Sequence, residues 1–374
     1  MLSICSPQLG LSPESNSGGE VHDREILTRL CQQGIIVHSL LPRGRSYLSQ
    51  DNLKINYTWI RSMVPPHVFN AFVFPYLIKT YLTQGFNLLR VHNPYFVGPA
   101  AAIFKKLFPQ VPLVLTHHHV EKGINHLIDK IFINKFDHII TVSQYTKKQI
   151  IDNFLYPSKK ISVAYNGINK CFQPGKKPQN LIKTLNLDGK IILLFLGGFK
   201  KRKNPLFLLE VLAKLNNPNI CLVFAGMGPL LKSLQLKANK LNLSSQVRFP
   251  GFIKEKDKVD YYQLADILLL PSLKEGFGMT LTEAGACAIP AIGSDNSSIR
   301  EIIIPNRTGY LAKLNDINDW RQKLTRLIQS KSLCQQMGLN AQKHVRNKFS
   351  WDKSIKIHLK IFDQLIKNSN LIKQ

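Results

Sequence analysis

Acidic residues are scarce in this chain: 23 Asp and Glu stand against 50 Lys and Arg over 374 residues, a formal charge of +27 with histidine neutral. So basic a protein invites a nucleic-acid partner, because clustered Lys and Arg release counterions from a phosphate backbone. The charge is spread instead, net +12 over residues 1–190 and +15 over the rest, with KKRK at 200–203 as the one dense run. Base-stacking aromatic motifs are lacking as well. No nucleic acid is therefore expected, whereas an anionic membrane surface or an anionic substrate stays open. The six cysteines (Cys5, Cys31, Cys171, Cys221, Cys287, Cys334) form no Cys-x-x-Cys pair and no Cys/His ligand spacing. That absence removes a zinc set and suggests reduced thiols of a cytoplasmic protein. No apolar run reaches the ~18 residues needed to span a bilayer, and LSIC after Met1 is too short for a signal peptide. Any membrane contact should be peripheral. Repeats and low-complexity tracts are missing too, as is the Gly-x-Gly-x-x-Gly fingerprint of nicotinamide enzymes.

What is present is a rhythm. LSICS (2–6), IIVHSLLP (35–42), NLLRVH (87–92), LVLTHH (113–118) and HIITVS (138–143) are short apolar runs, separated by helical patterns such as residues 20–33, GPAAAIFKKLF and QYTKKQIIDNF. Strand alternating with helix favours a parallel sheet covered on both faces. KCFQPGKKPQN (170–180), with two prolines, a glycine and three lysines, breaks the rhythm and reads as a linker. It then restarts with KIILLFLGGF (190–199), NICLVFAG (219–226), VRFPG (247–251), DILLLPS (266–272) and AIPAIGS (288–294). The expected fold is α/β, with two doubly wound domains facing a central cleft and ligand loops at the carboxyl ends of their strands. The boundaries expected are a domain over 1–170, a linker over 171–188, a second domain over 189–348, and a closing helix over 349–374 that braces both.

Within DILLLPSLKEGFGMTLTEAGACAIPAIGS a buried strand ends at Pro271-Ser272 and a loop carries Glu275. Gly276 and Gly278 then let the backbone approach closely, and a helix begins near Met279. A helix start presents free N–H groups and a positive dipole end, which suits a phosphate. Glu283, one turn into the helix, is placed to accept hydrogen bonds from vicinal hydroxyls such as a ribose diol. Glu275 would lie on the other side of the phosphates. Taken singly, each glutamate also reads as ordinary, a solvated loop residue and a favourable acid in a first turn. A glycosidase pair would need carboxyls facing each other about 5 to 9.5 Å apart, to which one loop and the helix it leads into are poorly suited.

PSLKEGFGMTLTEAGACAIPAIGS (271–294) resembles the donor-binding signature of the retaining GT-B glycosyltransferases of family 4: Glu, seven residues, Glu. The likeness covers nearly the whole chain. SNSGGEVHDREILTRL resembles the family's first glycine loop and helix, and LVLTHHH its histidine-bearing strand end. TVSQYTKKQI and VAYNGINKCFQP resemble the end of its first domain, FAGMGPLLKSL and VRFPGFI its nucleotide-side loops, and IREIIIPNRTGYLAKLND the tail of its second. Each piece is weak alone, and their order is what carries the likeness.

The resemblance implies a GT-B fold of two Rossmann-like domains. It implies transfer of a hexosyl unit from a nucleotide-diphosphate sugar to a glycan or lipid-linked acceptor, with retention and with no cofactor or metal. Glu283 would hold the ribose and Glu275 the donor sugar's hydroxyls. Phe277, Gly278, Met279 and Thr280 would turn their amides to the diphosphate or sugar, with the side chains of Phe277 and Met279 left to pack. Ile253, after Phe252, would lie at the base.

In LGGFKKRKNP (196–205), cations at a strand end can neutralise a departing diphosphate. Family members commonly carry an arginine after the first glycine and a lysine further on. Here Gly198 takes the arginine's place, Lys203 matches the lysine, and Arg202 or Lys201 would have to supply the missing charge, while Lys200 reads as solvated. In LTHHHVEKG (115–123) the pattern Thr, any residue, His selects His118 for the reacting sugar, with His119 as runner-up. Three adjacent histidines diverge in direction and make a poor metal set. Gly18 and Gly19 would admit donor phosphate or acceptor. HVFNAFVFPYLIKTYLTQGF (67–86) reads as core, acceptor groove or lipid-interface segment. Two other functions are compatible with this shape. One is a sugar-nucleotide epimerase, and the other is a non-catalytic sugar-nucleotide-binding protein, the reading that Gly198 keeps open.

Overall fold

Runs of aliphatic and branched residues fold as strands here because both faces of each sheet are covered and every side chain can be buried. The computed structural model describes residues 2–15, 18–61 and 66–371, and their side chains except at positions 60, 61, 66–71 and 370. Two units emerge: Met1–Gly167 with Trp351–Gln374, and Ile168–Ser350.

The first unit holds β1 (Ser3–Cys5), β2 (Ile36–Arg43), β3 (Leu53–Arg61), β4 (Leu88–His92), β5 (Leu113–His117), β6 (His138–Thr141) and β7 (Ile161–Val163). All pair in parallel, in the order β3-β2-β1-β4-β5-β6-β7. The second holds β8 (Ile191–Leu196), β9 (Ile220–Ala225), β10 (Val247–Gly251), β11 (Ile267–Leu270), β12 (Ala291–Ser294) and β13 (Gly309–Ala312). These too are parallel, in the order β10-β9-β8-β11-β12-β13. Both are Rossmann-like α/β units. In each sheet the winding reverses beside the first strand, between β1 and β4 and between β8 and β11. A reversal forces the two following loops apart and opens a crevice at the carboxyl ends.

The second core gathers Phe195, Phe199, Phe224 and Trp320 around β8 and β9. In the first unit Val73, Leu77 and Phe86 of the aromatic stretch are buried with Leu89 and Phe104, while Leu82 is exposed; the side chains of 67–71 lie outside the described residues. The last helix, Trp351–Leu371, lays Trp351, Ile355, Ile361 and Phe362 into a cluster with Ile4, Ile26 and Val37 of the first unit. β3 is an edge strand, and its sequence LKINYTWIR carries the apolar/polar alternation of a half-covered strand rather than a wholly apolar run. Among the described residues no helix is long and apolar enough to cross a membrane.

Candidate active site

The crevice of the second unit collects the charged residues. β8 ends at Leu196, the chain turns through Gly197 and Gly198, and one short helical turn, Lys201–Lys203, precedes the helix Pro205–Leu215. The loop after β11 carries Glu275 to the same place. Lys203 Nζ donates to Glu275 Oε1 at 2.7 Å and Arg202 Nη1 to Oε2 at 3.1 Å. Arg202 also donates to the Lys274 carbonyl at 2.6 Å. Glu275 is only 4% exposed, so it is no solvated loop residue. Burial alone would raise its pKa, but Lys203 and then Arg202 reverse that and hold it at about 2. The loop is pinned from behind, where Ser297 Oγ accepts from the Glu275 amide at 3.0 Å and Ser298 Oγ donates to the Phe277 carbonyl at 2.8 Å.

Gly278 takes φ 99°, ψ 54° as the cap of the helix Met279–Ala286, a left-handed conformation that disfavours other residues. The first amides of that helix have no partner inside it, and Thr280 Oγ1 is buried without one among the described residues. Phe277 instead packs edge-on against Phe349, ring centroids 5.3 Å apart. Glu283, 3% exposed, faces Tyr262 and Lys258. Tyr262 Oη donates to its Oε2 at 2.6 Å, and Lys258 Nζ lies 3.9 Å from Oε1 while paired with Glu255 at 2.7 Å. Burial raises the Glu283 pKa, with Lys258 pulling the other way. Oε1 is the oxygen left for a hydroxyl donor. Ile253 is buried and Phe252 exposed beyond the end of β10.

At Gly198 a Cβ would meet nothing closer than 3.7 Å. The family's arginine is therefore not excluded by space. Arg202 is engaged with Glu275 and Lys201 is exposed.

The first unit's crevice is lined by histidines. Asn93 Oδ1 accepts from the His118 amide at 3.2 Å and Thr146 Oγ1 donates to its carbonyl at 3.1 Å. The His118 ring stands edge-on to His22 at 4.6 Å and tilted against His92 at 4.5 Å, and its Nε2 is buried with no partner among the described residues. Burial, then His92 and His22, lower its pKa well below the ordinary value. His118 is thus neutral at pH 7, a hydrogen-bonding group with no charge. Its neighbours go elsewhere: His117 to buried Asp129 at 3.3 Å, His119 to Glu121 at 2.6 Å. Asp23 accepts from Arg90 at 2.6 Å on one oxygen and pairs with His92 on the other. His22, Asp23 and His118 place ligand atoms within 4.8 Å of one another, the residue types of a metal set, yet both Asp23 oxygens already serve Arg90 and His92. Gly19 lets the helix Gly18–Gln32 start against His92, whose Nε2 would be 3.3 Å from a Cβ there. Asn16 and Ser17 of the glycine loop lie outside the described residues.

Burial also makes the fold acid-sensitive. His22 is lowered to about 3 and His358 to about 4, both from 6.5 and both chiefly by desolvation. Below pH 6.5 the unfolded chain takes up these protons while the folded chain refuses them, so stability falls with pH, by about 2 kcal/mol per histidine at pH 5. Glu275, depressed from 4.5, stabilises above 4.5 and loses on the order of 3 kcal/mol as pH falls toward 2. The thermal midpoint should therefore decline already between pH 6.5 and 5. A midpoint that stays level over that range contradicts neutral burial of His22 and His358.

Against known proteins, the profile described as Glycosyltransferase Family 4 matches residues 16–170 and that described as Glycosyl transferases group 1 matches 176–344. A D-inositol 3-phosphate glycosyltransferase of Corynebacterium jeikeium is 31% identical over 75% of this chain and 74% of that protein. The chain belongs to the group 1 glycosyltransferases. An uncharacterized glycosyltransferase of Methanocaldococcus jannaschii is 28% identical over 80% of this chain and 84% of its own. Among solved structures, sucrose-phosphate synthase from Thermosynechococcus elongatus superposes with a TM-score of 0.85 at 18% identity, covering 98% of this chain and all of that one. Anabaena HepE, solved with UDP and glucose, follows at 0.83 and 16%, covering 97% and 100%. The fold of this glycosyltransferase is GT-B.

Six functional candidates were not singled out from sequence: Tyr262, Lys258, His22, Asp23, Arg90 and His92. One signal was available. Arg90 interrupts the buried strand LLRVH and is fully buried, and an arginine there requires a buried acid.

Proposed function

We propose that this glycosyltransferase moves a hexosyl group from a nucleotide-diphosphate sugar to an acceptor hydroxyl with retention of configuration, in glycolipid, polysaccharide or other glycoconjugate synthesis. The observation that carries the reading is the crevice of the second unit. There Lys203 and the start of the helix Met279–Ala286 flank Glu275, with Glu283 one turn along. Glu283 Oε1 accepts from the ribose diol while Tyr262 occupies Oε2. The amides of Gly278, Met279 and Thr280 receive the diphosphate at the positive end of the helix. Lys203 stabilises the charge that grows on the leaving diphosphate as the anomeric C–O bond breaks. Glu275, ionised beside Lys203 and Arg202, aligns those cations and accepts from the sugar's hydroxyls.

No carboxylate in this set is disposed as a nucleophile. The acceptor oxygen accordingly attacks from the face the diphosphate leaves, and its proton passes to a diphosphate oxygen, which accounts for retention. His118, neutral in its buried setting, keeps the role at the reacting sugar that the family resemblance implies. Anabaena HepE, of low identity, is solved with UDP and with UDP-glucose, which favours a uridine nucleotide as the first donor to try. A thermal-shift screen of nucleotide sugars tests the reading, because a ligand at a hundred times its Kd adds about 2.7 kcal/mol of stability. One UDP-, GDP- or ADP-sugar should raise the midpoint by several degrees, with transfer to an acceptor then followed by mass spectrometry. No shift with any of them contradicts the proposal, and conversion of donor without acceptor indicates an epimerase.

A further inference from the structure

Lys258 stands where neither helix stability nor solvation favours it. It opens the helix Lys258–Leu264, at the positive end of the dipole, which disfavours a cation. It is also only 4% exposed, and a lysine is almost never so buried unless it is paired. Its ammonium lies between two carboxylates, 2.7 Å from Glu255 Oε2 and 3.9 Å from Glu283 Oε1. Glu283 is itself buried, and its other oxygen is taken by the Tyr262 hydroxyl.

Lys258, Glu255, Tyr262 and Lys203 all bear on Glu283, and the thiols of Cys287 and Cys171 lie within electrostatic range of it. Burial pushes this carboxyl toward its neutral form, and Lys258 is the strongest influence against that, ahead of the Tyr262 hydrogen bond and Lys203. A protonated Glu283 would lose the charge-assisted hydrogen bonds that an anion accepts from hydroxyls. Glu255 has a complementary part. By holding the ammonium at 2.7 Å, it prevents Lys258 from closing the 3.9 Å gap and covering Oε1. We infer that Glu255 and Lys258 are a positioning pair for the donor site: Lys258 maintains Glu283 as an anionic acceptor, and Glu255 keeps Lys258 off the oxygen that receives the ribose. The inference rests on the donor reading of Glu283 and adds to it the pH range over which the site binds.

The test is calorimetry of the full chain with UDP, ADP and GDP, which share the ribose diol, from about pH 6 to about pH 8. Each variant is compared with wild type at the same pH, so that the nucleotide's own protonation cancels. Lys258→Met should bind at least about tenfold more weakly than wild type at the acid end and progressively less so toward the alkaline end. The reason is that a group needed as an anion loses up to about tenfold in its ionised fraction per pH unit below its pKa. Lys258→Arg carries the same charge and should return the wild-type profile. Glu255→Gln should weaken binding several-fold at every pH, because Lys258 is then released onto Oε1. Lys258→Met/Glu255→Gln leaves no unpaired carboxylate beside Glu283 and should keep the pH slope, so it serves if Lys258→Met does not fold. A lysine with a merely structural role would weaken binding equally at every pH. A ratio to wild type that stays flat across the range in the variants lacking Lys258, while Glu283→Ala is weakened, overturns this inference and leaves the donor reading standing. Wild-type binding by Glu283→Ala, or none of the three nucleotides bound by wild type, overturns both.

Discussion

Lys203→Met should lower turnover by about two to three orders of magnitude, the usual cost of losing one group aimed at charge that develops in a transition state. Lys203 is the cation this sequence retains at the strand end, Gly198 having replaced the arginine. Both Lys203 and Arg202 rest on Glu275, Arg202 being held in addition by the Lys274 carbonyl. The substitution also strips one of the two cations from a buried carboxylate, and breaking such a pair costs about 3–5 kcal/mol. Glu275 should then titrate higher and the midpoint should drop. Lys203→Arg separates the two effects, since it restores the charge against Glu275 but reaches the diphosphate with altered geometry. The readouts are kcat at saturating donor and acceptor, with calorimetry of nucleoside diphosphate binding. A folded Lys203→Met enzyme whose turnover lies within a few-fold of wild type would remove Lys203 from the leaving-group role.

The second large effect is at Glu283. Glu283→Ala should weaken nucleoside diphosphate binding at least tenfold, on the order of 1.4 kcal/mol or more, because the ribose loses a buried acceptor and the Tyr262 hydroxyl is left without its carboxylate. Tyr262→Phe is the milder companion. It keeps the carboxylate but frees Oε2, so the donor KM should rise several-fold with kcat nearly unchanged, as a positioning role predicts. Nucleoside diphosphate affinity that is the same in Glu283→Ala and wild type would dismiss the ribose contact.

Much of the fold was legible because both sheets are parallel and covered. Strands such as ILLL of β11 and ICLVFA of β9 are apolar throughout, and the glycine-bearing loops after them mark the ligand end. The edge strand β3 is not a wholly apolar run; its signal is the alternation of LKINYTWIR. The glutamate pair was legible too, as a spacing around a helix start, but its electrostatics were not. Sequence offered Arg202 as a source of the charge missing at Gly198, and the fold turns it onto Glu275, 73 positions away. The histidine cluster was still less visible. His22, Asp23, Arg90, His92 and His118 come from three segments that only the β1–β4 reversal and the next strand bring together.

The sequence by itself determined the alternation of strand and helix and the position of the two glutamates around a helix start, because these follow from local pattern and from turns that glycine and proline favour. The tertiary structure alone decided which charges meet. Burial and a partner distant in sequence set each protonation state, leaving Glu275 ionised, Glu283 raised and His118 neutral. Packing alone turned Ile124, Leu127 and Ile131 outward, since a hydrophobic pattern fixes the width of an apolar face and not whether that face meets a core or an external surface.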